Sequence, residues 1–138
     1  MSETTYLLKV TEEQAQHISD ACELVSRLHL GQLETLRFSL GCFHLDGEDP
    51  QEIDIQLQVL SRKLGLRPNE HGNAYYGISS KEVPDKSRDL FDIHQVIRHQ
   101  LAFDRQPSGG IGTQYQKPYK THAGPLATIK KEEGKGGE

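Results

Sequence analysis

Leu90, Ile93, Ile97 and Leu101 recur at helical spacing through residues 84–103, and this apolar stripe constrains the fold more than any other feature of the chain. At 100° per residue, His94, Arg98 and a helically continued Arg105 fall within about 40° of one another beside the stripe. Cations at that edge are expected to be partly buried. The helix runs into the turn Pro107-Ser-Gly-Gly-Ile-Gly-Thr113, and from Arg105 through Lys131 there is no acidic residue. That segment carries Arg105, Lys117, Lys120, Lys130 and Lys131 with Tyr115, Tyr119 and His122, an anion-friendly surface with aromatic flanks.

Upstream, Thr11-Glu-Glu-Gln14 is a capping box that opens a helix with Ala15, Ile18, Cys22 and Val25 on its buried face, ending near Leu28. A second short helix is predicted over Gln32–Leu40, stopped by Gly41, and makes a helical hairpin with the first. Ile53, Ile55, Leu57 and Val59 alternate with polar residues as in a strand, yet Asp49, Pro50, Glu52 and the stop Arg62-Lys63-Leu-Gly65 are helix end signals. Four end signals outweigh one periodicity, so a helix is predicted over Pro50–Leu64. It has two apolar faces: Ile53, Leu57, Leu60 and Leu64 form one, and Ile55 with Val59 the other. The second face is covered either by the C-terminal segment or by another chain.

Tyr6-Leu-Leu-Lys-Val10 is β-prone, and so is the aromatic segment Thr113–Ile129, which Pro118 and Pro125 restrict to short or edge strands. The expected fold is therefore α+β: a single, mainly helical domain over residues 1–129, with about four helices and short edge strands at the N-terminus and in the C-terminal segment. Residues 130–138 lack an apolar side chain and read as a disordered tail. An apolar fraction of 34% without Trp gives a thin core, which together with the two-faced helix predicts a homo-oligomer with Ile55 and Val59 near its interface. Cys22 and Cys42 read as reduced thiols. No signal peptide or membrane span is apparent, which places the protein in the cytoplasm.

Charge is divided along the chain. Residues 1–70 hold 6 Lys or Arg against 12 Asp or Glu, and residues 71–138 hold 10 against 8, which is −6 against +2. An acidic half argues against extended duplex DNA, whose binding needs a broad basic face, and favours a compact anion. The ligand-binding candidates are Arg98 and Arg105 for phosphates with His94 beside them, Tyr75 or Tyr76 for stacking, Asn73 for a hydrogen bond, and Gly109 and Gly110 as a backbone anion nest. Each has a structural alternative: tyrosines covering the core, a glycine hinge, or an Arg98 paired with an internal carboxylate. The seven histidines contain no H-x-x-x-H pair and join no C-x-x-C, so no metal site or cofactor is expected. Ser108-Gly-Gly-Ile-Gly112 follows a helix, unlike a Walker loop, which follows a strand.

The segment Leu90-Phe-Asp-Ile-His-Gln-Val-Ile-Arg-His-Gln-Leu-Ala-Phe-Asp-Arg105, the glycine turn, the late Gly124-Pro-Leu-Ala-Thr-Ile129 run and the Leu30-Gly-Gln-Leu-Glu34 break resemble a group of small, mostly uncharacterised bacteriophage and prophage proteins. The resemblance implies a phage context and a compact helical domain, and it carries no active site onto these positions. By analogy of context with phage counter-defence proteins, the expected function is non-enzymatic sequestration of a nucleotide-derived immune signal in the infected cell. The alternatives are a module that docks on a host enzyme, and a nucleotide hydrolase with His94 as general base, for which no nucleophile or acid partner stands at a recognisable spacing.

Overall fold

The structure, a computed structural model, describes residues 4–42, 47–66, 76–107 and 120–132. Four helices follow in order: α1 (Glu12–His29), α2 (Thr35–Ser39), α3 (Pro50–Lys63) and α4 (Asp85–Arg105). Their ends follow from local chemistry. The Thr11 hydroxyl accepts from the Gln14 N–H at 3.1 Å while Gln14 Oε1 accepts from the Thr11 N–H at 2.9 Å, so the capping box forms in full. Asp49 accepts from the Gln51 N–H at 3.0 Å with Pro50 in the first turn, and the strand-like alternation of residues 53–59 yields to these helix signals. Gly41 (φ 70°) and Gly65 (φ 74°) take the left-handed conformation after α2 and α3, where a side chain would be strained. α2 is shorter than the sequence suggests, because residues 31–34 form turns instead of a first helical turn.

α1 and α4 lie antiparallel and make the body of the domain: Ser26 meets Ser87, Ser19 meets His94, and Glu12 meets Arg105. The seam between them is polar at its tightest points. Ser26 Oγ donates to the Ser87 carbonyl at 2.9 Å and Ser87 Oγ donates back to the Ser26 carbonyl at 3.0 Å, both side chains being fully buried. Short side chains let two backbones approach closely, and each hydroxyl then satisfies a carbonyl across the gap. Beside this seam Ala15, Ile97 and Leu101 form a small apolar core, against which Val10, Ile18, Ile93 and Ile129 pack.

Away from the seam, residues 121 and 122 bind another face of α4. The buried Asp92 carboxylate accepts from the Thr121 N–H (2.7 Å), the Thr121 hydroxyl (2.7 Å) and the His122 N–H (2.6 Å). A Cβ on Gly124 would stand 2.6 Å from His122 Nε2, so a side chain there would displace the imidazole. Arg88 braces the approach to α4 by donating to the carbonyls of Ile78, Ser80 and Val83. α3 is attached by polar points: Ser61 Oγ donates to the Gly31 carbonyl at 2.9 Å, and Arg37 grips Asp54 with two bonds of 2.8 and 2.9 Å. The Arg37 guanidinium holds the Asp54 carboxyl below the usual carboxylate range.

Several sequence expectations are corrected. The fold is helical and not α+β: among the described residues there is no strand. Tyr6–Val10 joins no strand ladder among the described residues, and Thr121 and His122 are held to α4 by a side-chain carboxylate instead of a neighbouring strand. Residues 113–119 of the expected C-terminal strand segment and residues 133–138 of the expected tail lie outside the described residues. At i,i+4 spacing Arg88 and Asp92 would read as an exposed ion pair, but Arg88 binds the 78–85 turn and Asp92 the C-terminal segment. Cys22 and Cys42 are free, and burial followed by the charge of Asp89 pushes the Cys22 thiol up from its ordinary value.

Replacing Asp92 by Ala removes a charged acceptor of three hydrogen bonds and should cost about 2–3 kcal/mol. Urea denaturation measures the loss, and hydrogen exchange should show the Thr121 and His122 amides losing protection while those of α1 keep theirs.

Candidate functional site

A cleft of about 530 Å³ opens along one edge of the α1/α4 pair, lined by Gln16, Asp20, Glu23 and Arg27 of α1 and by His94, Arg98, Ala102 and Arg105 of α4. Its origin is the helical register. Residues 16, 20, 23 and 27 recur at spacings of four, three and four, which places them on one edge of α1, and residues 94, 98, 102 and 105, at four, four and three, share one edge of α4. Ala102 leaves the groove open where a larger side chain would fill it.

The cations sit in different states. His94 is 6% exposed, and both ring nitrogens are engaged: Nε2 lies 2.8 Å from Glu23 Oε2, and Nδ1 lies 2.8 Å from Ser19 Oγ. An acceptor-only carboxylate requires the proton on Nε2, so Nε2–H donates to Glu23. Ser19 Oγ also reaches the His94 carbonyl at 3.2 Å, which ties the two helices at this point. The hydrogen bond from His94, and after it the charges of His94, Arg27 and Arg98, hold the Glu23 carboxyl below its ordinary value of 4.5 against the opposing effect of burial. Arg27 is anchored by Gln32 Oε1 at 3.0 Å and Glu23 at 3.6 Å. Arg105 is held by Glu12 at 2.6 Å and Gln16 at 3.1 Å. Arg98 is exposed and makes no hydrogen bond or ion pair with the described residues, although Glu23 feels its charge.

His94, Arg98 and Arg105 thus share one cleft, whereas Tyr76 does not join them. Its backbone N–H donates to the Leu30 carbonyl at 3.1 Å, beyond the end of α1, and it is not among the described lining residues. Tyr75, Asn73, Gly109 and Gly110 lie outside the described residues. Sequence reasoning missed the α1 wall altogether, although the spacing of Gln16, Asp20, Glu23 and Arg27 was visible. The signal needed was the partner helix, which brings that polar edge beside Arg98.

The arrangement of Ser19, His94 and Glu23 has the atoms of a hydroxyl–imidazole–carboxylate relay. Ser19 is fully buried, however, so no electrophile can reach its oxygen, and the relay acts as a strut. Among the described residues no group of three or more His, Cys, Asp or Glu side chains is placed to hold a metal ion, and no helix is long and apolar enough to cross a membrane.

Because the folded-state carboxyl of Glu23 titrates low, the stability it contributes is complete above pH 4.5 and is lost as pH falls through the depressed value. Glu23→Gln should therefore flatten the acid limb of the stability profile below that pH, measured by thermal melts from pH 3 to 7. An unchanged acid limb would show that the Glu23–His94 contact is not formed in solution.

No protein-family model matches the chain, and neither a curated protein nor a solved structure does, so the reading of the cleft rests on its own chemistry.

Proposed function

We propose that the protein is a non-enzymatic binding protein whose α1/α4 cleft takes a compact, nucleotide-like anion. The observation that carries this reading is Arg98: an exposed guanidinium at a cleft of about 530 Å³, unpaired among the described residues and flanked by His94 and Arg105. Arginine is suited to phosphate, because its planar fork donates two parallel hydrogen bonds to two oxygens. Cleft volume falls in the range of about 300–1,000 Å³ common for small-molecule sites. With the phage context that the sequence resemblance suggests, the role is sequestration of a signalling nucleotide in the cytoplasm of an infected bacterium. Hydrolysis gains no support from the cleft, since Ser19 is inaccessible and both nitrogens of His94 are engaged.

Arg98→Ala should weaken binding of a nucleotide monophosphate by about 1.5–3 kcal/mol with the melting temperature preserved. Arg105→Ala should weaken it less, because Glu12 and Gln16 already hold that guanidinium. Lys86, exposed elsewhere on α4, supplies the control in titration calorimetry. An Arg98→Ala protein that melts early but binds normally would make Arg98 a structural residue.

A second reading, docking on another protein, is favoured by a different observation. Tyr6, Leu7 and Leu8 are 90%, 105% and 76% exposed, and Ile55, Leu60 and Leu64 of α3 are also open to solvent. Ser61 is the single fully buried residue of α3; Val59 is half-buried. Exposed apolar side chains in such number favour an interface. If a second copy is the partner, sedimentation equilibrium at micromolar concentration should give a dimer, and Ile55→Glu should shift it at least tenfold toward monomer. A monomer at all concentrations would leave only a foreign partner for that surface.

A further inference from the structure

The cleft is not uniformly positive, and the inference drawn from this rests on the anion-binding reading above. Asp20 and Glu23 stand on the α1 wall among Arg27, Arg98 and Arg105. The two carboxylates differ in what they are free to do. Glu23 is committed to His94 and Arg27. Asp20 is exposed, forms no ion pair with the described residues, and accepts a single hydrogen bond, from Gln16 Nε2 to Oδ1 at 2.9 Å. A carboxylate has about four lone-pair sites, so Asp20 keeps acceptor capacity at the open cleft.

A ligand that is only an anion would set its charge against Asp20 and Glu23, whereas one that also carries N–H donors gains a partner there. The geometry points to Asp20 as a specificity-determining residue that accepts from the donor edge of a nucleobase while Arg98 takes the phosphate. Guanine is the base class that fits. Its Watson–Crick edge presents N1–H and the N2 amine side by side, a pair of donors matched to the two oxygens of one carboxylate. Adenine presents an acceptor nitrogen beside its amine, and that acceptor faces the carboxylate unfavourably. No described lining residue is aromatic; Arg27, held by Gln32 and Glu23, is an anchored planar group on the same wall.

Calorimetry with GMP and AMP on the wild type, Asp20→Asn and Arg98→Ala proteins tests this, with thermal melts to confirm folding. GMP should bind at least tenfold more tightly than AMP. Asp20→Asn should bring the two affinities to within about threefold of each other, and Arg98→Ala should weaken both nucleotides alike. Equal binding of GMP and AMP by the wild type, or a GMP preference that survives Asp20→Asn, would overturn the role of Asp20 while leaving the anion site standing. Absence of binding by either nucleotide to the folded wild type would remove both.

Discussion

The contact on which the rest of this structure depends is the buried junction of Ser19 and His94 between α1 and α4. An imidazole taken out of water must have both nitrogens satisfied, and here one wall of the helix pair supplies both partners, the Ser19 hydroxyl and the Glu23 carboxylate. Two helical turns away, Ser26 and Ser87 close a reciprocal pair of hydrogen bonds. Together they fix the register of the two helices where apolar packing alone would tolerate sliding. The cleft follows from that register, because it is the register that sets the polar edge of α1 against Arg98.

Apolar burial is small and dispersed: Leu30, Leu33, Val83 and Val96 are buried outside the main cluster. Ala15, Ile97 and Leu101 form the core cluster, and Ile129 brings the C-terminal segment onto it. Asp92 then fastens that segment by its backbone to another face of α4. α3 stands in contrast. Its positions are set by Arg37–Asp54 and Ser61–Gly31, which orient the helix but cover little of its apolar surface. Stability is therefore unevenly distributed, with α1 and α4 at its centre and α3 at its margin.

The electrostatics of the cleft bear on what it can hold. Arg105 and Arg27 are occupied by neighbouring acceptors, and His94 is spent on the helix junction. Among the described residues this leaves one open guanidinium and one open carboxylate, Arg98 and Asp20, on opposing helices. Such a pair rewards a ligand carrying both an anionic group and donors, and it penalises a bare polyanion.

Much of the local structure was legible in the chain. Thr11 with Gln14, Asp49 with Pro50, and the glycines at 41 and 65 specify helix ends through backbone chemistry that needs no distant partner. The shared edge of His94, Arg98 and Arg105 also follows from helical geometry alone. Tertiary structure decided the rest. Ser19, Ser26 and Ser87 look like solvated polar residues until a second helix approaches closely enough for their hydroxyls to reach its carbonyls. Asp92 looks like half of a surface ion pair until residues 121 and 122 fold back upon it, and Tyr6–Val10 looks like a strand that then joins no ladder among the described residues. Sequence determines the interactions that close within a turn of the chain; those spanning 75 residues, as between Ser19 and His94, depend on which faces meet. That meeting is a property of the packed whole, because burial and shared hydrogen bonds are gained only when both helices are in place.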